Sequence, residues 1–135
     1  MQVFDSYHGS QVATALDVAA ISSNTTTNGN IIDTAGFEAL LFAFVSGTIT
    51  DGAYTVQLWH GDDSGLSDAA QVDADEVLGS VDFAAADDDT SKRIGYIGKK
   101  RYVQVRVVST GVTTGGTLGA IGILSTAHHA PVANQ

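Results

Sequence analysis

The chain consists of short stretches in which apolar and polar residues alternate, separated by turn-forming residues, and it has no long helical stripe. The clearest stretch is 102–108, where Val103, Val105 and Val107 alternate with Gln104 and Arg106. Such alternation is typical of a strand with one buried and one wet face. Residues 12–18 and 53–59 alternate in the same way. Roughly seven to nine such strands predict an all-β, antiparallel sandwich or barrel.

Three stretches carry more specific expectations. In residues 12–18, the side chains of Val12, Thr14, Leu16 and Val18 should share one face. The nearly continuous apolar run 37–45 predicts a strand buried on both sides. The stretch 118–124 contains two glycines, which predicts close contact with another backbone. Turns are expected at 27–30, 50–52, 61–65 and 114–116, which are rich in Gly, Asn, Asp and Thr.

The length of 135 residues is typical of one domain. We predict an N-terminal arm over 1–11, a β-sandwich domain over 12–126 and a C-terminal arm over 127–135. Met1 is not followed by the basic and apolar regions of a signal peptide. The longest apolar run, 39–45, is too short to cross a bilayer. We therefore expect no membrane partner.

The formal net charge of −9 argues against nucleic acid as a partner, because phosphate binding depends on Lys and Arg. The charges are also segregated along the chain. Ten of the 15 acidic residues lie in 62–89, and all six basic residues lie in 92–106. Either the acidic loops are simply solvated and precede a basic edge strand, or the two segments meet between subunits. The first interpretation is favoured, since exposed charges contribute little binding energy.

The sequence does not predict an enzyme or a cofactor. It contains no cysteine, which excludes thiolate catalysis and cysteine zinc sites. The carboxylates are concentrated in Gly- and Ala-rich loops, where water should surround them. A catalytic pair would need one carboxyl with a raised pKa, which such hydration does not favour. No nucleophile elbow or phosphate-binding loop is present.

Calcium is the metal that the acidic loops would suit best. Asp62, Asp63 and Asp68 could supply several hard oxygen ligands, although their spacing is not that of an EF-hand. The competing interpretation is that these carboxylates cap backbone amides of their own loop. We favour the second interpretation and expect no metal. A calcium-dependent carbohydrate-binding module remains an alternative function.

Binding or assembly is the role that remains. Both predicted arms carry isolated aromatic, apolar or histidine side chains that could dock on another surface: Phe4, Tyr7, His8, His128, His129, Pro131 and Val132. A subunit interface is predicted at residue types that anchor interfaces: Trp59, Arg101, Tyr102 and Arg106. For Trp59, capping of the core is an equally good interpretation.

A set of motifs in a characteristic order covers about residues 25–132. The stretch 26–38 contains N-G-x-x-I-D-x-x-G-F-E, and Ser46-Gly47-Thr48 follows it. Next come a Tyr-x-Val-x-Leu strand at 54–58, an Asp/Ser/Gly loop at 62–65 and Leu78-Gly79. The second half contains 94–105, Thr113-Thr114-Gly115-Gly116 and His128-His129-Ala130-Pro131. In this order the motifs resemble those of head decoration (cement) proteins of tailed bacteriophages.

The resemblance implies a non-enzymatic virion protein with a jelly-roll or related β-sandwich. It implies a homotrimer on the exterior of the capsid head, bound to the major capsid protein and made in the bacterial host cytoplasm. Trp59 and His60 stand where that pattern has Glu-Ser, and the loop after Gly65 is longer and lacks the usual aromatic residue. A phage tail- or fibre-associated β-sandwich module is a second alternative function.

Overall fold

A computed structural model describes residues 5–128, which are almost entirely β-structure. Two short 3₁₀ turns, Ala74–Glu76 and Ala85–Asp87, interrupt the strands. The strands are β1 (Gln11–Ile21), β2 (Thr26–Asp33), β3 (Phe37–Ile49), β4 (Ala53–Gly61), β5 (Ala70–Gln71), β6 (Val77–Leu78), β7 (Asp82–Phe83), β8 (Ser91–Tyr96), β9 (Tyr102–Thr110) and β10 (Gly116–Ala127). Among the described residues, no helix has the length and apolar character needed to cross a bilayer.

The strands form two antiparallel sheets that pack as a sandwich. The first sheet has the order β1-β10-β3-β8-β6, and the second has the order β2-β9-β4-β5, with β7 also paired to β4. Successive long strands alternate between the sheets, from β1 to β4 and again from β8 to β10. This is the connectivity of a jelly roll. The predicted fold class is confirmed.

The core lies between the inner faces of the two sheets. Phe42 and Phe44 of β3 are fully buried there, as is Tyr54 of β4. The second sheet contributes the alternating valines 103, 105 and 107 of β9, all completely buried. The period-2 pattern of 102–108 therefore predicted both the strand and its inward face correctly.

The prediction that 37–45 is buried on both sides is wrong. In β3, Leu40, Phe42 and Phe44 point into the core, whereas Val45 is 57% exposed. The intervening Leu41 is only half-buried. Within residues 5–128 no third layer covers the outer side of the first sheet, so only one face of β3 is buried by the chain itself.

The expected common face of Val12, Thr14, Leu16 and Val18 is also wrong. Leu16 is buried, whereas Val12 is 44% and Val18 77% exposed. The pairing of β1 with β10 shifts register between Thr14 and Leu16 and again before Ala19. Each irregularity adds a residue to one strand and changes which side the following residues face.

The expected turn at 27–30 is instead part of strand β2. Its register against β9 shifts between Asn28 and Ile31, which marks a bulge. A Cβ at Gly29 would lie 2.1 Å from the carbonyl oxygen of Ala15, so glycine allows β1 to approach closely. The other three predicted turns, 50–52, 61–65 and 114–116, lie at strand ends as expected.

The prediction that the glycines in 118–124 accompany a close backbone contact is confirmed at Gly119, whereas Gly122 meets only side chains at ordinary contact distances. A Cβ at Gly119 would lie 3.3 Å from the Cα of Val18 in the neighbouring strand β1.

The prediction that the basic residues lie on an edge strand is wrong for β9, because β9 lies between β2 and β4 inside the second sheet. Arg106 is therefore carried by an interior strand.

Candidate functional site

Both predicted arms leave from the same end of the first sheet. Gln11 begins β1 and pairs with Leu124 of β10, while Ala127 ends β10 and pairs with Phe37. Since β1 and β10 are antiparallel neighbours, the chain enters and leaves the sandwich side by side. We call this region, with Tyr7, His8 and His128, the arm end. Of the other predicted docking residues, Phe4, His129, Pro131 and Val132 lie outside the described residues.

At the arm end, exposed rings lie next to carboxylates that accept hydrogen bonds. The carboxylate of Asp5 accepts the Tyr7 backbone N–H at 2.7 Å and also binds the His8 ring. These bonds, that from His8 first, lower the pKa of Asp5. The Tyr7 ring is 61% exposed and meets the His8 ring edge-on at 5.2 Å. On the other arm, the His128 ring binds Glu38, and its backbone N–H donates to Gly36.

A cleft of about 230 Å³ lies beside the start of β3, between Phe37, Glu38, Tyr96 and Lys100. The Tyr96 hydroxyl accepts the backbone N–H of Lys100 at 3.0 Å and lies 2.8 Å from Nδ1 of His60. Burial raises the pKa of Tyr96, so its hydroxyl stays neutral at physiological pH. The cleft offers hydrogen-bonding groups next to the arm end.

The predicted interface residue Trp59 lies on the outer face of the second sheet, outside the core. The Arg106 guanidinium sits 4.2 Å from the centre of the indole ring, and the indole N–H donates to Gln57 at 3.1 Å. Arg106 also donates to Gln104 at 2.9 Å, and Gln104 donates to the carbonyl of Gly29 at 2.8 Å. These contacts form a polar ladder in which the partners satisfy one another.

Arg101 and Tyr102 lie at the start of β9, on the same side as the ladder. Arg101 donates two hydrogen bonds to the Asp33 carboxylate, at 2.8 and 2.9 Å, and its guanidinium lies 5.1 Å from the Tyr102 ring. The bond from Arg101 lowers the pKa of Asp33. The structure thus brings the four predicted interface residues to one side of the sandwich. That they contact another subunit stays a prediction.

The acidic loop after β4 uses its carboxylates to organise its own backbone. Asp68 accepts the amides of Asp62 and Asp63 at 2.9 and 3.2 Å, and Asp63 accepts those of Gly65 and Ser67. Amide donation lowers the pKa of both Asp63 and Asp68. The amide-capping interpretation is confirmed for these two residues. Among residues 5–128, no three His, Asp or Glu side chains are grouped as a metal site would require.

Several bases pair with acids of the same chain. Lys92 lies 3.2 Å from Asp87, and Lys100 lies 2.7 Å from Asp62. Arg101 binds Asp33, as described above. Because water screens such exposed pairs, they add little stability and matter mainly by leaving less unpaired charge for head-to-tail contacts. The geometry favours the interpretation of the acidic segment as locally paired and solvated.

The end of the sandwich opposite the arms is held by Asp51, in the turn between β3 and β4. Its carboxylate accepts backbone amides of Thr113, Thr114 and Gly115 at 2.8–3.1 Å. These bonds, from Thr114 and Gly115 first, lower the pKa of Asp51. A lowered folded-state pKa gives stability above the unfolded value of about 3.9, which is lost as the pH falls through the folded value.

We therefore expect Asp51→Asn to lower the urea midpoint at pH 7. The Asn side chain is neutral and has a single acceptor oxygen, so it cannot replace the carboxylate as acceptor of three backbone hydrogen bonds. At pH 2, below the unfolded value, the stability that the lowered pKa of Asp51 contributes is being lost, so the difference should shrink. Urea unfolding followed by circular dichroism at both pH values measures this. Asp17→Asn is the control, since Asp17 accepts a single side-chain bond from Asn30. A gap between wild type and Asp51→Asn that is equal at both pH values would contradict the assignment.

The outer side of the first sheet is apolar, a feature that the sequence analysis missed. Val18, Val45, Leu78 and Ile121 are 77%, 57%, 57% and 40% exposed. Register places Ile123, Leu41, Gly95 and Leu78 in one row across four strands. We call this surface the apolar face and define it by six residues: Val18, Leu41, Val45, Leu78, Ile121 and Ile123. A groove of about 400 Å³ runs between Val18, Val45 and Ile121.

A signal for this face was present in the sequence. Leu41, Ala43 and Val45 alternate with the core residues of β3, and Ile121 and Ile123 do the same in β10. An apolar residue at every position was interpreted as burial within the chain. A covering partner explains the same pattern equally well. Exposed apolar patches of several hundred Å² commonly mark interaction sites.

The fold and these surfaces define a jelly-roll sandwich with surfaces suited to binding. No protein-family model and no curated protein matches the sequence. Among solved structures, the chain is similar to the SPBc2 prophage-derived protein YomS. The TM-score is 0.55 at 17% identity, and the alignment covers 93% of this chain and all of YomS.

A second similar structure is the PBSX exported protein XepA, with a TM-score of 0.55 and 13% identity. The alignment covers 99% of this chain but only 43% of XepA. A xylanase fragment with CBM22-1 and GH10 modules from Clostridium thermocellum reaches a TM-score of only 0.44, too low to support any argument. At these identities the two phage-derived structures establish a shared fold.

Proposed function

We propose that this chain is a non-enzymatic structural protein of a tailed bacteriophage that binds the exterior of the capsid head and stabilises the shell. The observation that carries the proposal is the common origin of the two arms at one end of the sandwich. The two arms, which are polar and carry exposed aromatic and histidine rings, can then bind the same surface. Their partner on this proposal is the major capsid protein.

Three further observations support this role. The fold is shared with two phage-derived proteins, YomS and XepA. In the loop after β4, the carboxylates of Asp63 and Asp68 accept backbone amides of the same loop, as in a structural turn. A net charge of −9 suits a protein on the outer surface, where no DNA phosphate has to be bound.

We further propose that the outer face of the second sheet, which carries the polar ladder and Trp59, Arg101, Tyr102 and Arg106, joins subunits of a homotrimer.

The test is binding of arm variants to mature shells. We expect removal of residues 2–8, or of 129–135, to weaken co-sedimentation with shells at least about tenfold, because each arm would supply more than 1.4 kcal/mol. Removal of both should abolish binding. Thr113→Ala, at the opposite end of the sandwich, is the matched control and should bind as wild type. Circular dichroism would show that every variant is folded.

Three outcomes would contradict the proposal. Wild-type shell binding by both truncated chains would show that the arms do not dock. Binding to purified tails but not to heads would favour a tail- or fibre-associated module. A melting temperature that rises with Ca²⁺ and falls with EDTA, together with glycan binding, would favour the calcium-dependent carbohydrate-binding module.

A further inference from the structure

The apolar face leaves large side chains in water on a regular sheet surface. Val45, at 57% exposure, lies between Gly119 of β10 and Ser91 of β8, so small neighbours flank it on both sides. Ile121 likewise pairs with Ala43 and Thr14. The result is a broad, nearly flat surface with a shallow groove, and not a set of isolated apolar residues.

Small residues on this face allow another sheet to come close. Gly47, Gly95 and Gly119 interrupt the outward positions of β3, β8 and β10. Face-to-face sheets pack about 10 Å apart, with large side chains of one sheet fitting over small positions of the other. Val45 and Ile121 supply such large side chains, and Ala43 and Gly47 supply small positions. The Val18 and Leu78 side chains of the same chain already lie over Gly119 and Gly95.

The charge distribution indicates which partner can use this face. In the cross-strand rows that include Leu41, Ala43 and Val45, Arg93 is the charged residue and no carboxylate is present. The chain as a whole carries −9. Two copies would repel each other through their acidic loops, and the apolar face is where they can meet without opposing carboxylates.

We infer that the apolar face packs against the same face of a second copy of this chain. A flat apolar surface needs a flat apolar complement. The outer side of the second sheet does not provide one, because the Trp59–Arg106–Gln104 ladder covers it with polar groups. Like faces meeting about a two-fold axis also match in shape, since each supplies both the large and the small positions.

The size of the face fits a modest, concentration-dependent contact. With strands about 4.8 Å apart and outward residues about 6.7 Å apart along a strand, four rows on the four longer strands, β1, β10, β3 and β8, cover roughly 500 Å² on each copy. The two copies together bury roughly 1,000 Å², the size of a weak, concentration-dependent interface. The pairing is independent of the arms and of the proposed ladder contact.

The test is sedimentation equilibrium of the full chain over a wide concentration range. Wild type should approach twice the 13.9 kDa chain mass, or six times if the ladder also forms trimers. Val45→Asp and Ile121→Asp should each raise the dissociation constant at least about a hundredfold, because a two-fold contact carries each substitution twice. Thr110→Asp, which adds the same charge at an exposed position of β9, is the control and should associate as wild type.

A second pair of variants separates lost contact from a damaged fold. Val45→Ile enlarges the same exposed side chain and should maintain or tighten the association. Circular dichroism melting of Val45→Asp in dilute solution should match that of dilute wild type, because the side chain is exposed in one copy. A wild type that stays monomeric or trimeric at all concentrations, or an association that Val45→Asp and Ile121→Asp leave as strong as in wild type, would overturn the inference.

Discussion

Phe42→Ala is expected to lower the free energy of unfolding by about 3–5 kcal/mol, the usual cost of removing a buried phenylalanine ring. Phe42 is fully buried on β3, in the middle of the first sheet, and belongs to the core between the sheets. Alanine there would leave a cavity that the two hydrogen-bonded sheets can only partly close. Urea unfolding followed by circular dichroism measures the change.

The matched control is Val45→Ala, three residues further along the same strand. Val45 points outward and is 57% exposed, so in dilute solution its truncation should cost less than about 1 kcal/mol. Equal losses from Phe42→Ala and Val45→Ala in the monomer would contradict the one-sided burial of β3. When both measurements are repeated at high protein concentration, the free energy of unfolding also includes the contact between two copies through the apolar face.

The contrast between these two residues shows what the sequence could and could not predict about β3. The run 37–45 identified a strand, because its residues favour strands and glycines flank it. It did not identify which face is buried by the chain, since both faces are apolar. In 102–108, polar Gln104 and Arg106 marked the outer face, and the prediction held. The polar residues carry the information about orientation.

Irregular pairing explains the errors in β1 and β2. The prediction for residues 12–18 assumed an unbroken period of two, but β1 changes register twice against β10. A bulge depends on which strands become neighbours, and local sequence does not contain that information. For 27–30, Asn-Gly is a strong turn signal, yet the segment continues as a bulged strand because β9 pairs on both sides of it.

The candidate sites divide in a similar way. The sequence could assign four ladder residues to one face, because they alternate with core residues on their strands: Gln57, Trp59, Gln104 and Arg106. Their mutual contacts required the β4–β9 register, in which Trp59 faces Gln104 and Gln57 faces Arg106. The common origin of the arms could not be predicted at all, because it follows from the pairing of the first long strand with the last.

Gly29→Ala should lower the free energy of unfolding by about 3 kcal/mol, at the upper end of the range for overpacking. The added Cβ would lie 2.1 Å from the Ala15 carbonyl oxygen and 3.0 Å from that of Val105. Both oxygens belong to the backbone of strands, β1 and β9, that are hydrogen-bonded within their sheets. The steric clash can therefore be removed only if a whole strand moves. The substitution tests the bulge in β2, where a turn was predicted.

Asn30 makes the same test specific to this bulge. Its side-chain amide donates to the Thr14 carbonyl at 3.1 Å and to Asp17 at 3.0 Å, which ties β2 to β1 beside Gly29. If alanine pushes β1 away, those bonds break, and Asn30→Ala should then cost less in the Gly29→Ala background than in wild type. The double-mutant cycle measures that coupling. Additive losses would show that the Gly29 contact and the Asn30 bridge are independent.

The matched control is Gly9→Ala, where no atom lies within 4 Å of the added Cβ. It makes the same chemical change without the steric conflict, so its effect should stay within about 0.5 kcal/mol. A Gly29→Ala protein as stable as Gly9→Ala would mean that β1 and β2 do not approach each other at this bulge. The residues 27–30 would then be better described as the turn that their sequence suggested.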